Sequence, residues 1–294
     1  MRKEYICPIL TPFQEDGKID FEGMKFIVDR LIENKIDGIA FFGSSGEFYA
    51  IPYEELKIYS EKLIDYVNKR VKVFIGTGRL MAEETISLSN FAIEKGADGV
   101  LVVGPYYIGA SKDGVLLYYD EVIGKINGDV MIYNYPERTG YDVTADIIIN
   151  LLSKYKNLMG IKDTEGNPIH TVELIKKVKP KFPRFKIYTG YDCNLSTVIL
   201  AGGDGCIGAL SNLVPNVCSS FIDAFEKGEI KDIEKIGKKI NNLMDFYQIA
   251  VPFMPVMKYT LMKLGLPVTE KSKFPAIPLN DIQKNKIENM INEI

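Results

Sequence analysis

The chain has 294 residues, of which 36 are Lys or Arg and 39 are Asp or Glu, so the formal net charge at pH 7 is −3. This balance does not favour a nucleic-acid partner or an anionic membrane. We find no signal peptide and no uninterrupted apolar stretch of about 18 residues, which predicts a cytoplasmic protein without membrane contact. A chain of this length can form one large α/β barrel or two ordinary domains.

The cysteines and the single histidine restrict the available chemistry. Four widely spaced cysteines form no CxxC pair, which argues against a disulfide framework or a zinc site. His170 alone cannot supply a His-rich metal cluster or, without other support, a His-centred triad, and we expect it on the surface at the start of a helix. We therefore expect no metal and no cofactor, and catalysis would fall to Lys, Tyr, Ser, Thr and carboxylate groups.

Eight short apolar or β-branched runs recur along the chain, and a helical pattern follows each of them. The runs are continuous rather than alternating, which is typical of parallel strands covered on both faces. The predicted strands are 4–10, 37–42, 71–76, 98–103, 129–134, 158–162, 185–190 and 204–209. Among the helical patterns, one begins with Asp20 as its N-cap and another ends at Gly96.

Eight β–α units in succession predict a (β/α)8 TIM barrel, a fold that typically takes about 250 residues. A doubly wound sheet is the alternative, but it usually has fewer strands and a Gly-rich phosphate turn after the first strand. We place the barrel in residues 1–226. Residues 227–294 contain three amphipathic patterns and are predicted to form a C-terminal helical segment. The aromatic-rich stretches 104–109 and 245–255 are candidate subunit contacts.

In a TIM barrel the active site lies at the carboxyl ends of the strands. Lys162 ends the predicted sixth strand, and taken alone it could simply begin a surface loop. In an apolar barrel mouth, however, desolvation favours a neutral amine, which can form a Schiff base with a ketone. The imine is then an electron sink for breaking or forming a neighbouring carbon–carbon bond. Tyr133, on the adjacent strand, could carry the proton if a hydroxyl such as Ser45 polarises its phenol.

The stretch GSSGE, residues 43–47, follows the second predicted strand. It offers small residues, free backbone N–H groups and two hydroxyls, which suit a small carboxylate. Gly/Ser loops are common, so the stretch is a weak indication alone. It indicates a carboxylate site only in combination with Lys162 and Tyr133.

Taken together, the motifs resemble those of the pyruvate-dependent class I aldolases in the dihydrodipicolinate synthase and N-acetylneuraminate lyase superfamily. They occur in the family's order and spacing over essentially the whole chain. They are ILTPF (9–13), GSSGE (43–47), GPYY (104–107), YNYP (133–136), GIKDT (160–164), GYD (190–192) and GGDGCIG (202–208). The resemblance implies a barrel with a C-terminal helical segment, assembled as a homotetramer.

The resemblance also implies roles for individual residues. Lys162 corresponds to the lysine that forms the Schiff base with pyruvate, and Tyr133 to the proton relay. Ser44 and Ser45 correspond to the hydroxyl pair that holds the pyruvate carboxylate, and we count Ser45 among the catalytic residues. Tyr107 matches a tyrosine that in some members reaches the active site of an adjacent subunit. Packing remains the alternative for both tyrosines, in the barrel for Tyr133 and at an interface for Tyr107.

Within the superfamily, the stretches YNYPERTGYD, GIKDT, GYD and YQIAVPFMPVMK most resemble the 2-keto-3-deoxy sugar acid aldolases. These enzymes reversibly cleave such an acid to pyruvate and an aldehyde. The resemblance implies further substrate-binding residues, namely Arg138, Thr164, Gly190, Asp192 and Ile207.

Three alternatives remain open. 4-Hydroxy-tetrahydrodipicolinate synthase, which condenses pyruvate with aspartate semialdehyde, has a counterpart of Arg138 but usually carries GTTGE and GxGSN where this chain has GSSGE and GTGRL. Sialate lyases share Thr164 but tend to have an acidic residue at the position of Cys193 and a serine near Ala209. A barrel that has become a ligand-binding or regulatory protein is disfavoured, because both Lys162 and Tyr133 are present.

Overall fold

The computed structural model describes residues 2–294, in which eight parallel strands form a closed barrel. Each strand pairs with its neighbours in sequence, and the last strand pairs with the first. The strands are β1 (Glu4–Pro8), β2 (Gly38–Phe41), β3 (Lys72–Gly76), β4 (Gly99–Val103), β5 (Val130–Asn134), β6 (Leu158–Asp163), β7 (Lys186–Thr189) and β8 (Gly205–Ile207). The predicted TIM barrel is confirmed, and the doubly wound sheet is excluded.

The strands are buried on both faces, as their continuous apolar runs predict. Every residue of β4 and β5 is buried, because one face fills the barrel and the other packs against the surrounding helices. The observed bounds lie within two residues of the predicted ones. β1 and β8 are the strands that end earliest relative to the prediction, at Pro8 and Ile207.

Helices separate the strands and continue after the barrel. They are α1 (Phe21–Glu33), α2 (Tyr53–Val67), α3 (Ala82–Glu94), α4 (Lys112–Gly124), α5 (Pro136–Thr139), α6 (Ala145–Leu152), α7 (Pro168–Val178), α8 (Leu195–Leu200), α9 (Pro215–Lys227), α10 (Ile230–Leu243), α11 (Met254–Lys263) and α12 (Asp281–Met290). Asp20 caps α1 by accepting a hydrogen bond from the backbone N–H of Gly23, as predicted. Gly96, with φ +102°, follows the end of α3.

The three C-terminal helices differ from one another in burial. α10 has only Ile240 and Leu243 fully buried, as an amphipathic surface helix should. The prediction of an amphipathic helix is wrong for α11, which is buried without interruption from 254 to 261. The reason is that α12 and the segment 269–273 cover the side of α11 that would otherwise face water. No helix within residues 2–294 is both long enough and apolar enough to cross a bilayer.

Candidate active site

A cavity of about 250 Å³ opens at the carboxyl ends of the strands. Every predicted site residue except Tyr107 borders it, namely Ser44, Ser45, Tyr133, Arg138, Lys162, Thr164, Gly190, Asp192 and Ile207. These residues come from β2, β5, β6, β7 and β8 or from the loops after them. The barrel therefore brings together groups that lie more than a hundred residues apart in the chain.

Lys162 and Tyr133 lie side by side at the base of this cavity. They are partners in the register of β5 and β6, and the Lys162 Nζ lies 4.3 Å from the centre of the Tyr133 ring. Both side chains are about 95% buried. Because in-register residues on parallel strands point to the same face, the strand pairing itself sets the amine beside the phenol.

The hydroxyl next to the Tyr133 phenol belongs to Ser44, at 3.4 Å between the two oxygens. The sequence-based expectation that Ser45 polarises this phenol is thus replaced by a contact with Ser44. Ser45 is buried and also borders the cavity. Both serines therefore border the cavity, and the Ser44 hydroxyl also faces the phenol.

At both ends of the GSSGE loop, residues 43–47, the backbone has a conformation that residues other than glycine rarely adopt. Phe42 and Glu47, which bracket the four small residues, have φ of +54° and +56°. Gly46 N–H donates to the Gly43 carbonyl at 3.0 Å, which closes the turn. A Cβ on Gly76 would lie 2.2 Å from the Phe42 carbonyl oxygen, so only glycine fits beneath the loop.

The backbone N–H groups of Ser44 and Ser45 have no acceptor among the described residues. Two N–H groups without an acceptor and two hydroxyls thus belong to adjacent residues that border the cavity, with the Ser44 hydroxyl beside the Tyr133 phenol. This arrangement can hold a carboxylate through charge-assisted hydrogen bonds.

Thr164 places an unpaired hydroxyl at the cavity wall. Its residue is 7% exposed, and its Oγ1 has no hydrogen-bond partner within residues 2–294. Gly190 lies directly against this hydroxyl, because an added Cβ there would lie only 1.9 Å from the oxygen. A buried hydroxyl without a partner costs about 1–3 kcal/mol, so Thr164 is suited to a ligand hydroxyl.

Asp192 borders the cavity, but its carboxyl is already bonded within the protein. One oxygen accepts from the Tyr5 hydroxyl and from Leu210 N–H at 3.2 Å, and the other accepts from the Tyr247 hydroxyl at 2.9 Å. Burial raises the pKa of Asp192, although the tyrosine hydrogen bonds act in the opposite direction. Its observed role is to anchor Tyr247, and its predicted contact with substrate hydroxyls stays a prediction.

The roof of the cavity comes from the C-terminal segment, which sequence reasoning did not assign to the site. Met244, Tyr247 and residues 250–253 line it, and all but Met244 lie within the stretch predicted as a subunit contact. The strand-end rule could not find them, since they follow the last strand. The only signal was the density of aromatic residues in that stretch.

The mouth of the cavity is polar. Arg138 lies on α5 with its guanidinium 5.7 Å from the centre of the Tyr135 ring, next to Glu137. Both charged residues are exposed, and Tyr135 stacks on Tyr133 at 5.9 Å between ring centres. Of these, only Arg138 was predicted.

Tyr107 lies outside the cavity of its own chain. It is 90% exposed and has φ +83°, a left-handed conformation for a non-glycine residue. Its neighbour Tyr106 instead packs edge-on against Phe48, with 6.0 Å between the ring centres. Within one chain, Tyr107 is therefore not part of the wall of the cavity that contains Lys162.

His170 is not the plain surface residue that we expected. Its Nδ1 lies 2.9 Å from Asp163 and its Nε2 lies 3.0 Å from Asp142. Asn134 donates to both aspartates, which ties the ends of β5 and β6 together directly behind Tyr133 and Lys162. The hydrogen bonds to Asp142 and Asp163 raise the pKa of His170 to about 10.

This shift predicts how stability depends on pH. The His170 pKa is higher in the folded state than its ordinary value of 6.5, so its contribution is complete below pH 6.5 and is lost as pH rises towards about 10. We expect the free energy of unfolding to fall over this range by more in the wild type than in His170→Gln. Urea unfolding at pH 6.5 and 9.5 measures both. Equal losses in the two proteins would remove His170 as the cause.

The match to the family model described as the Dihydrodipicolinate synthetase family covers residues 1–294. The chain belongs to this family, whose members are pyruvate-dependent lyases and aldolases.

Several relatives are similar along their whole length. YagE of Escherichia coli (strain K12), named as a candidate 2-dehydro-3-deoxy-D-gluconate aldolase, is 35% identical over 98% of this chain and 96% of its own. YjhH of the same organism, named as a candidate 2-dehydro-3-deoxy-D-pentonate aldolase, is 31% identical over 96% and 94%. A 4-hydroxy-tetrahydrodipicolinate synthase of Kosmotoga olearia is 33% identical over 90% and 92%.

Solved structures agree with this assignment. The crystal structure of YagE in complex with pyruvate superposes with a TM-score of 0.96, at 35% identity and over 99% of this chain and 98% of that one. Dihydrodipicolinate synthase DapA-2 of Bacillus anthracis gives 0.93 at 28% identity, over 100% and 99%.

Proposed function

We propose that this protein is a class I aldolase that reversibly cleaves a 2-keto-3-deoxy sugar acid to pyruvate and an aldehyde through a Schiff base on Lys162. The observation that carries the proposal is the buried Lys162 beside Tyr133, under a loop with two free N–H groups and two hydroxyls. YagE and YjhH, named for sugar acids of this kind, support the substrate class.

In the cleavage direction, the neutral Lys162 amine attacks the C2 ketone of the substrate, and loss of water gives the imine. The GSSGE loop holds the carboxylate at C1. Tyr133 gives its phenolic proton to the hydroxide that leaves as the imine forms. The resulting phenolate, next to the Ser44 hydroxyl, then takes the proton of the C4 hydroxyl while the C3–C4 bond breaks, and the electron pair moves into the protonated imine. The aldehyde leaves, the resulting enamine takes a proton at C3, and water releases pyruvate.

The walls of the cavity suit the polyhydroxy part of such a substrate. Thr164 borders the same cavity as Lys162 and has a hydroxyl without a partner among the described residues, and the Asp192–Tyr247 contact gives the roof a fixed polar edge. The substrate's carboxylate is held by the GSSGE loop, so an unphosphorylated aldehyde needs hydroxyl partners rather than a second cation.

A second candidate is 4-hydroxy-tetrahydrodipicolinate synthase. It is favoured by Arg138, whose exposed guanidinium at the mouth could hold the carboxylate of aspartate semialdehyde by two parallel hydrogen bonds. Such a contact contributes about 1.5–3 kcal/mol. The Kosmotoga olearia synthase is the relative that supports it.

Two substitutions separate these candidates. We expect Arg138→Ala to lower kcat/KM for cleavage of 2-keto-3-deoxygluconate less than about tenfold, because its substrate carboxylate lies elsewhere. Thr164→Val, which removes a hydroxyl without changing shape, should cost more than about tenfold. Pyruvate release measures both.

The control for the loss of a threonine hydroxyl is Thr260→Val, whose buried hydroxyl bonds to the Val256 carbonyl in α11, outside the cavity. The synthase would be the correct choice if the wild type cleaved no sugar acid, condensed aspartate semialdehyde efficiently, and lost that activity in Arg138→Ala.

We also propose a homotetramer in which Tyr107 enters the active site of an adjacent subunit. Its 90% exposure and left-handed backbone support this, since both place the side chain away from its own barrel. Sedimentation analysis tests the assembly.

A further inference from the structure

A buried ion pair joins the GSSGE loop to the C-terminal segment. The Lys258 ammonium on α11 bonds to the Glu47 carboxylate, and the two side chains are 1% and 0% exposed. Lys258 also donates to the Lys271 carbonyl at 2.8 Å and lies 4.3 Å from the centre of the Phe13 ring. Burial lowers the pKa of Lys258 to about 8, while Glu47 favours its charged form.

Glu47 is the last residue of the GSSGE loop. Its side chain also contacts a second part of the C-terminal segment. Its other carboxylate oxygen accepts a hydrogen bond from Lys273 N–H at 2.6 Å. Its own backbone N–H donates to the Ser44 carbonyl at 3.1 Å. A displacement of the Glu47 side chain would therefore move the backbone that carries Ser44.

Stability alone does not account for such a pair. Removing two charges from water costs several kcal/mol per ion, and an apolar pair of similar volume is often as stable or more so. The loop, in contrast, needs exact placement, because a shift of about 1 Å in a binding group can cost roughly 100-fold in rate. The left-handed backbone of Glu47 also persists only where its surroundings hold it.

We propose that Glu47 and Lys258 are positioning residues for the carboxylate site: their ion pair holds Ser44 and Ser45 in place, so that the C-terminal segment takes part in pyruvate binding. This inference rests on the proposed function, in which the GSSGE loop holds the pyruvate carboxylate. Neither residue borders the cavity, so both act through the loop.

The test is borohydride trapping of pyruvate on Lys162 at increasing pyruvate concentration, measured by intact mass. In Lys258→Met and Glu47→Gln we expect the half-saturating pyruvate concentration to rise about tenfold or more, since the anion site is misplaced. We expect the adduct at saturation to remain on Lys162. A purely structural role would lower the folded fraction, and hence the amount of adduct, without moving the half-saturation point.

The double variant Glu47→Gln/Lys258→Met leaves no unpaired buried charge, so it should melt at a higher temperature than Lys258→Met and still show the raised half-saturation. Leu261→Ala is the matched control, because it leaves a cavity on the same buried helix and should lower the melting temperature alone. An unchanged half-saturation point in the double variant overturns the inference and leaves the proposed function intact. Absence of any adduct in the wild type overturns the proposed function itself.

Discussion

Pyruvate and borohydride are expected to add one reduced pyruvyl group to this protein, on Lys162. The amine is about 95% buried beside the Tyr133 ring and lies in the same cavity as the free N–H groups of the GSSGE loop. We propose that the GSSGE loop binds the carboxylate of the ketoacid and so brings its ketone to the Lys162 amine for imine formation. Peptide mapping by mass spectrometry locates the adduct.

Lys162→Met should abolish this adduct and lower turnover by a factor on the order of 10⁶, as loss of a covalent nucleophile does in other enzymes. Lys186→Met is the matched control. Lys186 begins the neighbouring strand β7, at the opposite end of the barrel from the cavity, and its loss should leave the adduct in place. An adduct on a different lysine, or none at saturating pyruvate, would refute the Schiff-base mechanism.

Most of the fold could be predicted because parallel strands leave a strong local pattern. Continuous apolar runs such as 98–103 and 129–134 can be covered on both faces only in a layered α/β structure, and eight of them fill a barrel. The strand ends then place Tyr133 and Lys162 together without further information. In these places local pattern and tertiary structure agree.

The prediction that α11 is amphipathic is wrong because segments distant in the sequence cover the helix. Its polar residues include Lys258, and an amphipathic helix would present such a residue to water. In the structure α12 and the segment 269–273 cover the helix, and Glu47, more than two hundred residues earlier, supplies the counter-charge of Lys258. No local pattern can indicate a partner at that separation, so burial of the helix could not be predicted.

The roof of the cavity and the His170 contacts were missed for a similar reason. Tyr247 at the site donates its hydroxyl to Asp192, and His170 is held by Asp142, from the loop after α5, and by Asp163, at the end of β6. Each is a contact between a side chain and a residue fixed by the barrel topology. The strand-end rule identifies the barrel's own contribution to the site, but not what a later segment adds to it.

Removal of one hydroxyl should show how much of the catalysis is proton transfer. We expect Tyr133→Phe to lower turnover by roughly 10²–10⁴, the usual contribution of a positioned acid–base group. The aromatic ring beside Lys162 is retained, so trapping of pyruvate on Lys162 should continue to a substantial extent. Only the oxygen that lies 3.4 Å from the Ser44 hydroxyl is lost.

The matched control is Tyr119→Phe, which also removes a buried tyrosine hydroxyl, here one that donates to the Val102 carbonyl away from the cavity. Its turnover should stay close to that of the wild type.

Single-turnover cleavage and pyruvate trapping, measured on the same samples, separate the bond-breaking step from imine formation. If Tyr133→Phe turned over substrate as fast as Tyr119→Phe, the role of Tyr133 would be packing inside the barrel. Equal losses in trapping and turnover would instead place its hydroxyl in imine formation, because the proton it carries would then be needed before the carbon–carbon bond breaks.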